Sequence, residues 1–177
     1  MNEIEFNEHY TVDYLSNLMS LRTPQAKSLE ILNEILEIVD LKKNENLDEA
    51  LAKIKAHFQF CTNFERNFIS ITFALATGVG KTRLMGAFIA YLFARQGIKN
   101  FFVVAPNTTI YKKIRSDLED ESSPKYVFKG LKDFFAATPK IFSEDDYRNR
   151  QLNIDDEAGI NIFLYNIDKF NKENAKM

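Results

Sequence analysis

The chain has 177 residues, 45% of them hydrophobic and 27% charged, and its 23 Lys and Arg against 25 Asp and Glu leave a formal net charge of -2. That balance excludes a disordered tail and gives no global attraction to nucleic acid, so any DNA contact must come from a local basic surface. Cys61 stands alone, which excludes an intrachain disulfide and a cysteine-based zinc cluster.

Met1 to Ser20 lacks the charged-then-apolar order of a secretory signal, and no apolar run approaches the roughly 18 residues of a membrane span. A cytoplasmic protein without membrane contact is expected. A chain of this length can bury roughly 70% of its extended surface, and 16 Phe and 7 Tyr supply an aromatic interior.

Thr23 can cap a helix that opens on Pro24, with Leu29, Leu32, Ile35, Leu36 and Val39 at helical spacing to about Leu41. Polar residues Lys42 to Asn46 break it, and Leu47, Leu51, Ile54 and Phe58 mark a second helix. Residues 1–66 thus read as a helical preface.

Asn67 to Leu75, with Phe68, Ile69, Ile71 and Phe73, reads as a buried parallel strand. Lys81 to Gln96 is apolar around most of its circumference, as for a helix wedged beside a sheet, and Gly97 ends it. Phe101 to Ala105 reads as the next buried strand, broken by Pro106 and Asn107, and Thr108 to Leu118 as a helix. Further short strands are expected at Tyr126 to Phe128, Lys140 to Phe142 and Ile160 to Tyr165. The strand-helix-strand-helix order implies parallel strands with right-handed crossovers, the α/β class.

Ala76-Thr77-Gly78-Val79-Gly80-Lys81-Thr82 lies where the first of these strands meets the apolar helix. Gly78 and Gly80 permit backbone conformations in which successive amides point into one anion-sized hollow. The helix beginning near Lys81 adds free N–H groups and its positive dipole end. Lys81 can place an ammonium on the β and γ phosphates, and the Thr82 hydroxyl can ligate magnesium. MgATP is the ligand this arrangement implies. The competing reading is a glycine-rich turn met by chance.

With Leu75 in the place of the usual first glycine, followed by Thr-Gly-x-Gly-Lys-Thr, the sequence resembles a superfamily 2 DEAD/DEAH-type helicase motor. More narrowly it resembles the restriction subunit of type III restriction enzymes. Leu21-Arg22-Thr23-Pro24-Gln25 is similar to the glutamine segment before such motors, and Phe101 to Asn107 followed by Thr109-Ile110-Tyr111 to the first DNA-facing segment. Lys125 to Gly130 and Ile160 to Phe163 also resemble this group.

The resemblance implies a RecA-like first lobe over 67–177, incomplete, with a parallel sheet flanked by helices. It implies double-stranded DNA as substrate and a methyltransferase (modification) subunit as partner. The nucleotide set is then Arg22, Gln25, Thr77, Gly78, Val79, Gly80, Lys81, Thr82 and Arg83, with the Gln25 amide facing outward to hydrogen-bond adenine. A solvent-facing glutamine at a helix start is the plainer reading of Gln25. Pro106, Asn107, Thr108, Thr109 and Lys112 are expected to meet DNA, as are Asn166 and Lys169; capped helices with solvated basic faces fit the same residues.

A working motor needs an acidic pair after a buried strand. No apolar strand is followed by Asp-Glu; Asp168 comes nearest, followed by Lys169. The expectation is an N-terminal piece of a longer motor that binds nucleotide and turns it over little. A complete small P-loop kinase, with Arg148 and Arg150 as its lid, and a non-catalytic nucleotide-binding module are the alternatives.

Overall fold

The computed structural model describes residues 11–41, 46–131, 138–143 and 159–168. The chain forms two compact units, one of Arg22–Lys81 and one of Met1–Leu21 with Thr82–Met177.

In the first unit two helices pack on each other: α2 (Thr23–Ile38) and α3 (Leu47–His57). Their i, i+3, i+4 apolar positions, Ile35, Val39, Ala50 and Ile54, close a core with Phe64. Asn46 caps α3, its Oδ1 accepting from the amides of Asp48 and Glu49. The expected cap of α2 moves by one residue: Arg22 is the N-cap, Thr23 is already helical, and the helix stops at Ile38 rather than near Leu41.

Residues 67–75 are not a strand. Apolarity alone makes no ladder, because a strand exists only beside a neighbour's backbone, and no sheet among the described residues includes this segment. Phe68 is 61% exposed, while Ile69 and Ile71 pack against the α2–α3 core.

The second unit begins with α1 (Val12–Leu18), which the sequence reading did not foresee. Thr11 caps it through the amide of Tyr14, Leu15 and Met19 are buried one turn apart, and Ser20 takes a left-handed conformation at φ 51° as the chain leaves. Then come α4 (Lys81–Gln96), β1 (Asn100–Ala105), α5 (Thr108–Glu119), β2 (Lys140–Phe142) and β3 (Asn161–Asn166).

Helix α4 has the expected limits and stops on Gly97 at φ 64°, whose amide bonds the Phe93 carbonyl while Ile98 N–H reaches Leu92 O. All pairings in the sheet are parallel, in the order β1-β3-β2, with Asn100 opposite Asn161 and Ala105 opposite Asn166. The architecture is α/β, five helices with a three-stranded parallel sheet among the described residues, as the alternation of elements implied.

Two expectations fail here. Tyr126 to Phe128 is a run of turns; its buried side chains suit a packed loop, and the Val127 amide bonds Asp117 O instead of a strand partner. Strand β1 is buried on one face only. Val103 and Ala105 share the interior with Ile162 and Leu164, whereas Phe102 is 61% and Val104 48% exposed. On that outer face Phe102 stacks on Tyr165 at 4.5 Å, and Phe142 on Phe163 at 5.1 Å. Period-two alternation of the side chains puts the aromatic ladder there.

Candidate phosphate-binding loop

The loop Thr77–Gly80 is a turn followed by a bend, and α4 starts at Lys81 directly after it. Gly78 sits at φ 82° and Gly80 at φ 90°, left-handed positions that L side chains rarely adopt. A Cβ at Gly78 would meet nothing within 4 Å, so the backbone conformation and not space requires glycine there.

Thr77, Gly78, Gly80 and Lys81 are exposed, and Thr82 is half-buried in the first turn of α4. Among the described residues the amides of Gly78, Val79 and Gly80 donate to no protein acceptor. An exposed bend with open amides, an ammonium and a hydroxyl fits the donor set that a magnesium-bound phosphate chain requires.

Behind this loop stands the start of α2. Gln25 occupies the third helical position, its Oε1 accepting from the Arg22 amide at 2.8 Å while its own amide bonds the Arg22 carbonyl at 2.8 Å. Its Nε2 donates to the Gly80 carbonyl at 2.8 Å, and Arg22 Nη1 donates to the Gly78 carbonyl at 3.2 Å. Gln25 is 3% exposed. The expected outward-facing amide is therefore corrected. With Arg22 as the cap the glutamine falls at the capping-box position, and both ends of its amide are engaged.

Arg83, expected in the nucleotide set, has main-chain partners: its guanidinium donates to four carbonyls, those of Met19 at 2.7 Å, Tyr126 at 2.9 Å, Val127 at 3.1 Å, and Lys129. Burial pulls its pKa below the usual arginine value. It ties the end of α1 and the turns 126–129 to α4. Nothing in the sequence distinguishes such an arginine from a phosphate ligand, because its acceptors are backbone atoms far along the chain.

At the C-terminal end of the sheet, Pro106, Asn107, Thr108, Thr109 and Lys112 are all exposed around the start of α5. Asn107 caps that helix, its Oδ1 accepting from the Ile110 amide at 2.9 Å. Asn166, also expected at the DNA, differs from these residues in being buried. It is 1% exposed, donates to Thr108 Oγ1 at 3.0 Å, and accepts from the Asp168 amide at 3.2 Å. As the last residue of the central strand it joins β3 to α5 and faces inward. Lys169, Arg148 and Arg150 lie outside the described residues. Asp168 is half-buried directly after β3.

A parallel sheet flanked by helices, with a glycine bend that feeds a Lys-Thr helix start, defines a P-loop NTPase type of domain. A family model described as type III restriction enzyme, res subunit, matches residues 19–177. The chain belongs to that family, which makes it a helicase-like nucleotide-binding protein of the ATP-hydrolase type. No curated protein and no solved structure matches it. Among the described residues no helix is long and apolar enough to cross a membrane.

Proposed function

We propose that this chain binds MgATP at Thr77–Thr82 as the first-lobe nucleotide site of an ATP-dependent DNA translocase. In this reading the translocase is the restriction subunit of a cytoplasmic type III restriction-modification system, which acts on double-stranded DNA with a methyltransferase subunit. The observation that carries the proposal is the exposed bend at Gly78–Gly80, both glycines at positive φ, running straight into a helix that opens with Lys81 and Thr82.

Lys81 holds the β and γ phosphates with its exposed ammonium, the open amides grip phosphate oxygens, and Thr82 contributes a hydroxyl to magnesium. The metal, when bound, neutralises phosphate charge. Pro106, Asn107, Thr108, Thr109 and Lys112 form the DNA-facing edge, where short polar groups and one ammonium meet backbone phosphates.

No apolar strand of the sequence is followed by Asp-Glu, so the chain on its own binds nucleotide without steady turnover. A calorimetric titration of MgATP tests the reading. Lys81→Ala is expected to weaken binding at least about tenfold, the scale of one lost charge-assisted contact, and equal affinity in the two proteins would refute it. Turnover that disappears in Lys81→Ala would refute the claim of inactivity alone.

A further inference from the structure

We propose that the cavity bounded by α2, α3 and the chain at residues 60–72 binds a zwitterion with an apolar body, a free hydrophobic or aromatic α-amino acid. The residues that line it all lie within the Arg22–Lys81 unit, and none belongs to the phosphate loop, so the inference stands apart from the nucleotide reading.

The cavity has a volume of about 380 Å³, within the range of about 300–1,000 Å³ found for small-molecule sites. Protein interiors pack too densely to leave such a space by default, and ordinary voids hold a water molecule or less. Its floor is apolar. Ile35 of α2, Ile54 of α3, Phe64 and Ile71 line it, and the first three are buried members of the α2–α3 core. At the mouth stands Phe60, a ring left 100% exposed that an apolar occupant would shield from water.

The mouth also carries one charge of each sign. Glu65 and Arg66 both line the cavity and both are exposed. Arg66 Nη1 donates to the Glu65 main-chain carbonyl at 3.0 Å; its other N–H groups and the Glu65 carboxylate have no protein partner among the described residues. In extended backbone two successive side chains point to opposite sides. Here Glu65 takes a left-handed conformation at φ 53°, one that a side chain adopts only at an energetic cost, and both side chains border the same space.

A carboxylate matches the guanidinium fork, and an ammonium matches the Glu65 carboxylate. An α-amino acid holds those two groups on one carbon and joins them to the side chain that the isoleucine and phenylalanine floor accommodates. Glu65 disfavours a polyanion at this mouth and Arg66 a polycation. A ligand with a single charge leaves one of the two protein charges unanswered.

The whole chain is titrated with L-phenylalanine, N-acetyl-L-phenylalanine, L-phenylalaninamide and glycine while NMR follows the backbone amides of residues 60–72. Alkylation of Cys61, the only cysteine of the chain and half-buried in the cavity wall, gives a second readout. L-Phenylalanine is expected to shift these amides, to slow alkylation, and to bind about threefold more tightly than either singly charged analogue, the scale of one exposed ion pair. Glycine, with no apolar body, should do neither.

Glu65→Gln and Arg66→Gln change exposed side chains and keep the fold. Glu65→Gln should weaken L-phenylalanine and L-phenylalaninamide about threefold and spare N-acetyl-L-phenylalanine, and Arg66→Gln should spare the amide and weaken the other two. A merely structural role for either residue would weaken all three alike. The inference is overturned if L-phenylalanine leaves the 60–72 amides and Cys61 untouched, if glycine matches it, or if the two substitutions do not sort the analogues by charge.

Discussion

Replacing Arg83 by leucine should destabilise the protein severely without acting on nucleotide contacts directly. Its guanidinium serves four carbonyls, and three of their residues are buried: Met19 at 1%, Val127 at 0% and Tyr126 at 9% exposure. The fourth, on exposed Lys129, can turn to water. A buried carbonyl left without a donor costs about 1 kcal/mol or more; the Tyr126 carbonyl keeps the Lys129 amide at 3.2 Å, so the carbonyls of Met19 and Val127 suggest a loss of about 2 kcal/mol. Leucine also leaves part of the guanidinium volume empty.

Against a total stability of about 5–15 kcal/mol, a loss of that size should shift the urea midpoint visibly at constant slope. Arg83→Lys should recover only part of the loss, because one ammonium cannot reach four carbonyls spread about a planar fork. If Arg83→Leu changed stability by less than about 0.5 kcal/mol, the scale of an ordinary surface substitution, the clasp reasoning would be wrong. If it then also weakened MgATP tenfold, the arginine would be a phosphate ligand after all.

Other consequences can be tested in the same preparations. Gly86→Ala should cost about 1–3 kcal/mol of stability, because its Cβ would lie 2.4 Å from Val127 Cγ1 and 2.8 Å from Val127 O; a melting point equal to wild type would contradict the close packing of α4 on residue 127. Asn107→Ala removes the cap of α5 and should cost about 1 kcal/mol by urea titration. Lys112→Ala should weaken duplex DNA binding and lower the slope of log affinity against log salt by about 1, with sequence preference unchanged.

Tyr126 carries a pH effect. Burial, and secondarily the charge of Glu121, raise its pKa above the ordinary value. Its contribution is therefore complete below the unfolded tyrosine pKa of about 10 and is lost as pH climbs through the higher folded value. Urea midpoints at pH 9 and in the alkaline range should fall more for wild type than for Tyr126→Phe, and parallel curves would refute the shift.

Helices were the most legible part of the fold. The apolar spacing in α2 and α3, the Gly97 stop of α4, and Asn107 before α5 are local facts, and a helix satisfies its own backbone with local bonds. Helix α1 escaped because seven residues with a single fully buried leucine carry too little periodicity to stand out. Strands fared differently. Lys140 to Phe142 pairs as expected and the strand expected at Ile160 to Tyr165 pairs over Asn161 to Asn166, but residues 67–75 and 126–128, equally apolar, have no ladder, since strand identity depends on which neighbour arrives.

The glycine bend and its Lys-Thr helix start were determined by the sequence alone, because left-handed φ and an anion-facing helix start are properties of a few consecutive residues. Tertiary structure decided what surrounds them. Gln25 meets Gly80 across 55 positions, Arg83 meets Met19 across 64, and Asn166 meets Thr108 across 58. In each case one partner or both is a generic polar group, common to most residues along a chain, so only folding selects which one is met.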